Sequence, residues 1–244
     1  MSQFILLLTQ YLEASGHMVH NSTGDADTLI VSCALQFARE GQEVTVVADD
    51  TDILILLMYH WNQSMADIYF HSEAKRKKMN KLVVWKIQDL INKAGKVVTS
   101  HLLFIHAWSG CDTTSATCGH GKTTLLNKLK KSEELQEIST LMSNPEATAE
   151  QVGKAGIRLF VILYGGREDD SLNSLRFTKF MDMVSTNRST SLHPQNLPPT
   201  ERAAYFHSLR VHLQVVLWHK LTNNDLDPTQ WGWKLSGNVL TMYD

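Results

Sequence analysis

Apolar residues set the first elements. Residues 3–14 are rich in Phe, Ile and Leu at helical spacing and predict a short helix. Gly24 follows, and Asp25 stands as the N-cap of a helix running to about Arg39. Leu29, Ile30, Cys33, Ala34 and Phe37 form its apolar stripe. Gly41 ends that helix, and residues 43–48, dominated by Val44, Val46 and Val47, read as a buried strand. The apolar run 53–58 then starts a second helix just after Asp49-Asp50-Thr51-Asp52. The pattern is helix, tight turn, strand, then acids at the strand's carboxyl end, where ligands bind in open α/β sheets.

Further on, short strands are predicted at 67–71 and around 83–86, joined by a basic link, Lys75-Arg76-Lys77-Lys78. A helix starts at Ile87, another covers 99–108, and a third covers 123–131 after the glycine turn Gly119-His120-Gly121-Lys122. Residues 132–153 read as a polar stretch, 157–164 as helix or strand, and 189–200 as a Pro-bearing linker. A long helix over 201–221 precedes a Trp-rich tail with Trp231 and Trp233. No internal repeat is evident. The division this predicts is an α/β core over 1–130 and a mainly helical extension over 131–244.

The candidate chemistry lies in the acids. Asp25-Ala26-Asp27 and Asp50-Thr51-Asp52 are paired aspartates, and Asp112 follows Ser109-Gly110-Cys111. Hard divalent cations take oxygen ligands, one or two carboxylates per ion being enough when water completes the shell. Hydrolysis of phosphodiesters by two metals calls for carboxylates from several segments around ions about 3.5–4 Å apart. A helix start and a strand end supply that convergence. Either pair alone is satisfied by helix capping or an ordinary turn; the combination is what points to a metal.

The glycine turn keeps three readings. It can present backbone N–H groups and a helix N-terminus to a phosphate, with Lys122 and Lys128 adding sequence-independent attraction. The run Ala116–Thr123 also fits a permissive phosphate-loop pattern, but polar residues stand where that motif needs a buried strand. Or the turn simply joins two helices.

Composition narrows the rest. The chain has 244 residues, 43% hydrophobic and 20% charged, which suits a core formed without staples. A formal charge of -2 leaves nucleic-acid binding to local patches. The three cysteines (Cys33, Cys111 and Cys118) make no disulfide framework and fit a reducing, intracellular compartment. No stretch is long and apolar enough for a membrane span, and the start lacks the pattern of a signal peptide. His17, His20, His71, His106 and His120 invite zinc, yet no pair has ligand spacing. No Gly-x-Ser-x-Gly elbow appears, so nucleophilic hydrolase chemistry is unsupported.

On these motifs the stretch from Gly24 to about Leu129 resembles the PIN-like and flap endonuclease superfamily of 5′-nucleases. It looks closest to PIN-like animal proteins associated with transposon-derived sequence. Gly24-Asp25-Ala26-Asp27 matches the acidic-Ala-acidic motif at a helix start, and Ala48-Asp49-Asp50-Thr51-Asp52 the strand-end motif. Ser109-Gly110-Cys111-Asp112 with Gly119-His120-Gly121-Lys122 matches the element leading into a helix-two-turn-helix module. The resemblance implies a PIN-like parallel sheet flanked by helices, with Mg2+ or Mn2+ held by Asp25, Asp27, Asp50, Asp52 and Asp112. It implies nucleic acid, DNA above all, gripped by its backbone through Gly119, Gly121, Lys122 and Lys128, and a nuclear location. Such nucleases also draw aspartates from an earlier strand. Residues 2–23 hold no Asp, so the resemblance implies a chain that starts after that strand. The alternatives are a non-catalytic, transposon-derived remnant that binds nucleic acid or protein, and a phosphate-loop nucleotide binder.

Overall fold

Two aspartates start the helices beside the sheet. In a computed structural model, which describes residues 3–22, 24–73, 83–117, 119–186, 194–221 and 226–243, Asp25 caps α2 (Ala26–Arg39) and Asp50 caps α3 (Thr51–His60). Before them lies α1 (Gln3–Ala14), a helix as expected but with no buried residue. Between α2 and α3 runs β1 (Val44–Val47), followed after α3 by β2 (Ile68–His71) and β3 (Val84–Lys86).

The sheet order is β1-β2-β3. β1 and β2 are parallel, with Val46 opposite Phe70, while β2 and β3 are antiparallel, with Phe70 opposite Trp85. The architecture is therefore α/β, but the expected parallel sheet is met only in one pair and the sheet is mixed. The expectation of a buried β1 is also corrected. Val46 is buried beside Ile68 and Phe70, whereas Val47 is 62% exposed and Thr45 faces outward. Only one face of the sheet meets the core, so its strands alternate rather than running apolar throughout.

Next come α4 (Ile87–Ala94), α5 (Lys96–Ser100) and α6 (Leu102–Trp108). The single helix expected over 99–108 is broken at His101, whose φ of -113° and ψ of 13° leave the helical region. Every residue of α6 is buried. Then α7 (Lys122–Leu129) leads to α8 (Glu133–Met142), which is capped by Ser132, and α9 (Ala149–Leu163), where Thr148 and Gln151 form a capping box. These helices correct the polar stretch expected over 132–153 and settle 157–164 as helix.

α10 (Leu172–Thr186) was not foreseen. α11 (Glu201–Lys220) is the long helix expected, capped by Thr200. The Trp-rich tail ends in a hairpin of β4 (Trp233–Ser236) and β5 (Val239–Met242). Gly237, at φ 62°, leads its two-residue loop. One apolar core runs from Val31 and Leu35 through Phe104 and Trp108 to Phe160, Leu213 and Trp218, and so includes both halves of the chain. The basic link 75–78, Cys118, and residues 189–193 of the linker lie outside the described residues.

Candidate metal centre

The amino ends of α2 and α3 meet at the carboxyl end of β1. Asp25 Oδ1 accepts from the backbone N–H of Asp27 at 3.1 Å, and Asp50 Oδ1 accepts from that of Asp52 at 2.8 Å. Each cap thus spends one oxygen on its helix and sets the next acid two residues on, within the first turn. Carboxylate oxygens of Asp27, Asp50 and Asp52 lie within 4.8 Å of one another. Among the described residues this is the one group of three or more His, Cys, Asp or Glu that converges so.

Asp27 and Asp52 line a cavity of about 280 Å³ with Asp25, Asp112, Thr113, Gln214 and Trp218. That is room for ions together with their waters. Asp112 sits in a turn closed by pairing of Cys111 with Thr114. Gly110 leads into it at φ 106°, and a Cβ there would lie 3.0 Å from Ala116. Thr113 Oγ1 donates to Gln214 Oε1 at 2.6 Å and ties this turn to α11. Asp49 turns away, accepting from Ser72 Oγ at 2.8 Å.

Electrostatics mark Asp27 most clearly. Burial, then the negative charges of Asp25, Asp50, Asp52 and Asp112, push its carboxyl up to about 6. Two helix N-termini, each equivalent to roughly half a positive charge, offset part of this repulsion. The Asp27 carboxyl stays raised all the same. Five carboxylates in or beside one cavity, with no Lys or Arg lining it, form a donor set for a hard divalent cation.

Asp52 is held from behind. His106 Nε2 lies 2.6 Å from Asp52 Oδ1, with the two side chains only 4% and 13% exposed. Sequence reasoning weighed His106 only for zinc. It missed Thr113, Gln214 and Trp218 as walls of the cavity, the nearest signal being Gln214, a polar residue inside the apolar run of α11.

The glycine turn lies elsewhere. Gly119 takes φ 73°, and Gly121 is the extended N-cap of α7, with its carbonyl accepting from Thr124 and Leu125. No Cβ at either glycine would meet another atom within 4 Å, so their backbones are open to approach. Lys122 is exposed. Lys128 is committed, its ammonium donating to the Ile162 carbonyl at 3.0 Å near the end of α9. Residues 102–117 hold a helix and a turn, with no strand feeding the glycines. Among the described residues no helix is long and apolar enough to cross a membrane. Searches against sequence-family profiles, curated proteins and solved structures find no match, so the acidic cavity is the feature on which a functional reading of this chain rests.

Proposed function

We propose that this chain is a divalent-metal-dependent nuclease of PIN-like type, with Asp25, Asp27, Asp50, Asp52 and Asp112 as its acidic wall. The observation that carries the reading is the convergence of Asp27, Asp50 and Asp52 within 4.8 Å across two helix starts, at a cost visible in the raised Asp27 carboxyl. Like charges so placed repel by roughly 4 kcal/mol per pair at 4 Å and an effective dielectric of about 20, less where exposed as at Asp50. A bound cation turns that cost into affinity.

Half-buried Asp27 and the still less exposed Asp52 would hold Mg2+ or Mn2+ directly, and exposed Asp25, Asp50 and Asp112 directly or through water. Ions so bound supply an activated water and charge stabilisation for the departing oxygen of a phosphodiester. The chain's own part is to fix the carboxylates and, through Gly119, Gly121 and Lys122, to offer backbone N–H groups and one cation to a nucleic-acid backbone. DNA is the proposed substrate and the nucleus the proposed location.

A second reading, a non-catalytic remnant that still binds nucleic acid, draws on the capping bonds of Asp25 and Asp50, which those residues would make in an inactive fold as well. A Mn2+-dependent cleavage assay on branched and single-stranded DNA separates the two. Cleavage by the wild type and its loss, by 100-fold or more, in Asp50→Ala is the result expected. Equal background in both proteins sinks the nuclease.

A further inference from the structure

Asp52 and His106 stand 54 positions apart, and their pairing joins α3 to α6. The pair is nearly closed to solvent. A buried His–Asp pair is weak evidence for stability, since desolvation consumes much of what the pairing returns and apolar residues of the same volume commonly do as well. Its place in the fold is more telling. His106 belongs to a helix whose other residues, Leu102, Leu103, Phe104, Ile105, Ala107 and Trp108, are all buried and apolar. Its ring also packs against Trp218 of α11, with centroids 5.6 Å apart and planes at 37°. A carboxylate only accepts, so Nε2 carries the hydrogen in this bond.

We propose that His106 is the positioning residue of the acidic cavity, fixing the plane of the Asp52 carboxylate by donating from Nε2 while Trp218 fixes the imidazole. This rests on the divalent-metal reading of the cavity. His106 is not itself a ligand: the ligand atoms that converge are those of Asp27, Asp50 and Asp52, and its Nε2 is spent on Asp52. Carboxylates that bind metals are themselves held by hydrogen bonds, and loss of such an outer partner weakens metal affinity by about 10- to 100-fold. The chain from Asp52 through His106 to Trp218 would thereby tie the geometry of the cavity to the docking of α11.

The test is Mn2+ binding at fixed pH, measured by calorimetry on wild type, His106→Phe and His106→Gln, with thermal unfolding of each in the absence of metal. Phe keeps a ring against Trp218 but has no donor, and Gln places an amide N–H near the position of Nε2. The expected result is a Mn2+ affinity about 10- to 100-fold weaker in His106→Phe and within a few-fold of wild type in His106→Gln. A folded His106→Phe with wild-type affinity overturns the inference, as does an equal loss in both variants. If His106→Phe does not fold, His106→Asn replaces it, since the shorter amide cannot reach Asp52, and the same comparison with Gln decides. Wild-type Mn2+ binding that Asp50→Ala abolishes but His106→Phe leaves intact rejects the positioning role while sparing the metal site. Absence of Mn2+ binding in the wild type rejects both.

Discussion

Asp27 and His207 put opposite pH slopes on the same fold. Burial and four neighbouring carboxylates raise Asp27 to about 6, so the native state holds that proton more tightly than the unfolded chain does. Its contribution is fully present below the ordinary carboxylate value near 4 and is lost as pH rises through about 6. In metal-free buffer, Asp27→Asn is expected to unfold at a higher temperature than wild type at pH 8, with the gap closing by pH 4. Thermal unfolding at pH 4, 6 and 8 checks this, and a gap that ignores pH rules the repulsion out.

His207 does the reverse. Burial first, then Arg210, lowers it to about 4 against a partial offset from a backbone bond at Trp108. The neutral ring is favoured in the native state, so its contribution is present above the usual histidine value of 6.5 and is lost as pH falls through about 4. His207→Phe, which keeps a ring against Trp108 and Phe160, should remove on the order of 3 kcal/mol of acid sensitivity in that window. Urea titrations at pH 7 and pH 4.5 measure it, and an unchanged difference between the two pH values refutes the assignment.

At the scale of elements, what the sequence discloses follows from how local the cause is. Asp25 was legible as a cap because a cap is decided within one turn, and its bond is found; Asp50, read as an acid at the strand end or in a turn, caps α3 in the same way. β1, β2 and β3 were legible from β-branched and aromatic runs of few residues. The start of α9 was hidden because Gly153 and Gly156 lower helix propensity by about 1 kcal/mol each relative to Ala. Packing overrides that cost. A Cβ on Gly156 would lie 1.7 Å from Ser208 Oγ, and one on Gly153 would lie 2.0 Å from the Tyr205 ring. The glycines let α9 approach α11 closely. Gly156→Ala should therefore destabilise by about 1–3 kcal/mol despite its better helix propensity, and adding Ser208→Gly should recover part of the loss by removing the atoms it meets. Equilibrium urea unfolding of the single and double variants gives the answer. A single variant as stable as wild type would show that the helices move apart freely. The β4–β5 hairpin carried a signal in Gly237-Asn238, a two-residue loop with glycine first.

The whole molecule is where sequence reading fell shortest, because the cavity closes across long separations. Asp25, Asp27, Asp50, Asp52 and Asp112 were readable as a set from motif spacing, yet Gln214 and Trp218, which complete its wall, lie about a hundred residues further on. The same separation bears on the division near residue 130. Trp108 packs against Phe160 of α9 and His207 of α11, and His106 packs against Trp218. His60 at the end of α3 meets the Trp218 carbonyl at 2.9 Å. Residues 1–130 expressed alone would leave Trp108 of α6 without the Phe160 and His207 rings that cover it. Large buried side chains of this kind are each worth about 1.5–3 kcal/mol of burial, against a whole-domain stability of about 5–15 kcal/mol. The fragment is therefore expected to lack a cooperative thermal transition and to lose Mn2+ binding, while the full chain retains both. Circular dichroism melts and dispersion of amide resonances decide it. A fragment that melts cooperatively and binds Mn2+ like the full chain would establish two independent units, with α11 a bystander to the acidic cavity rather than one of its walls.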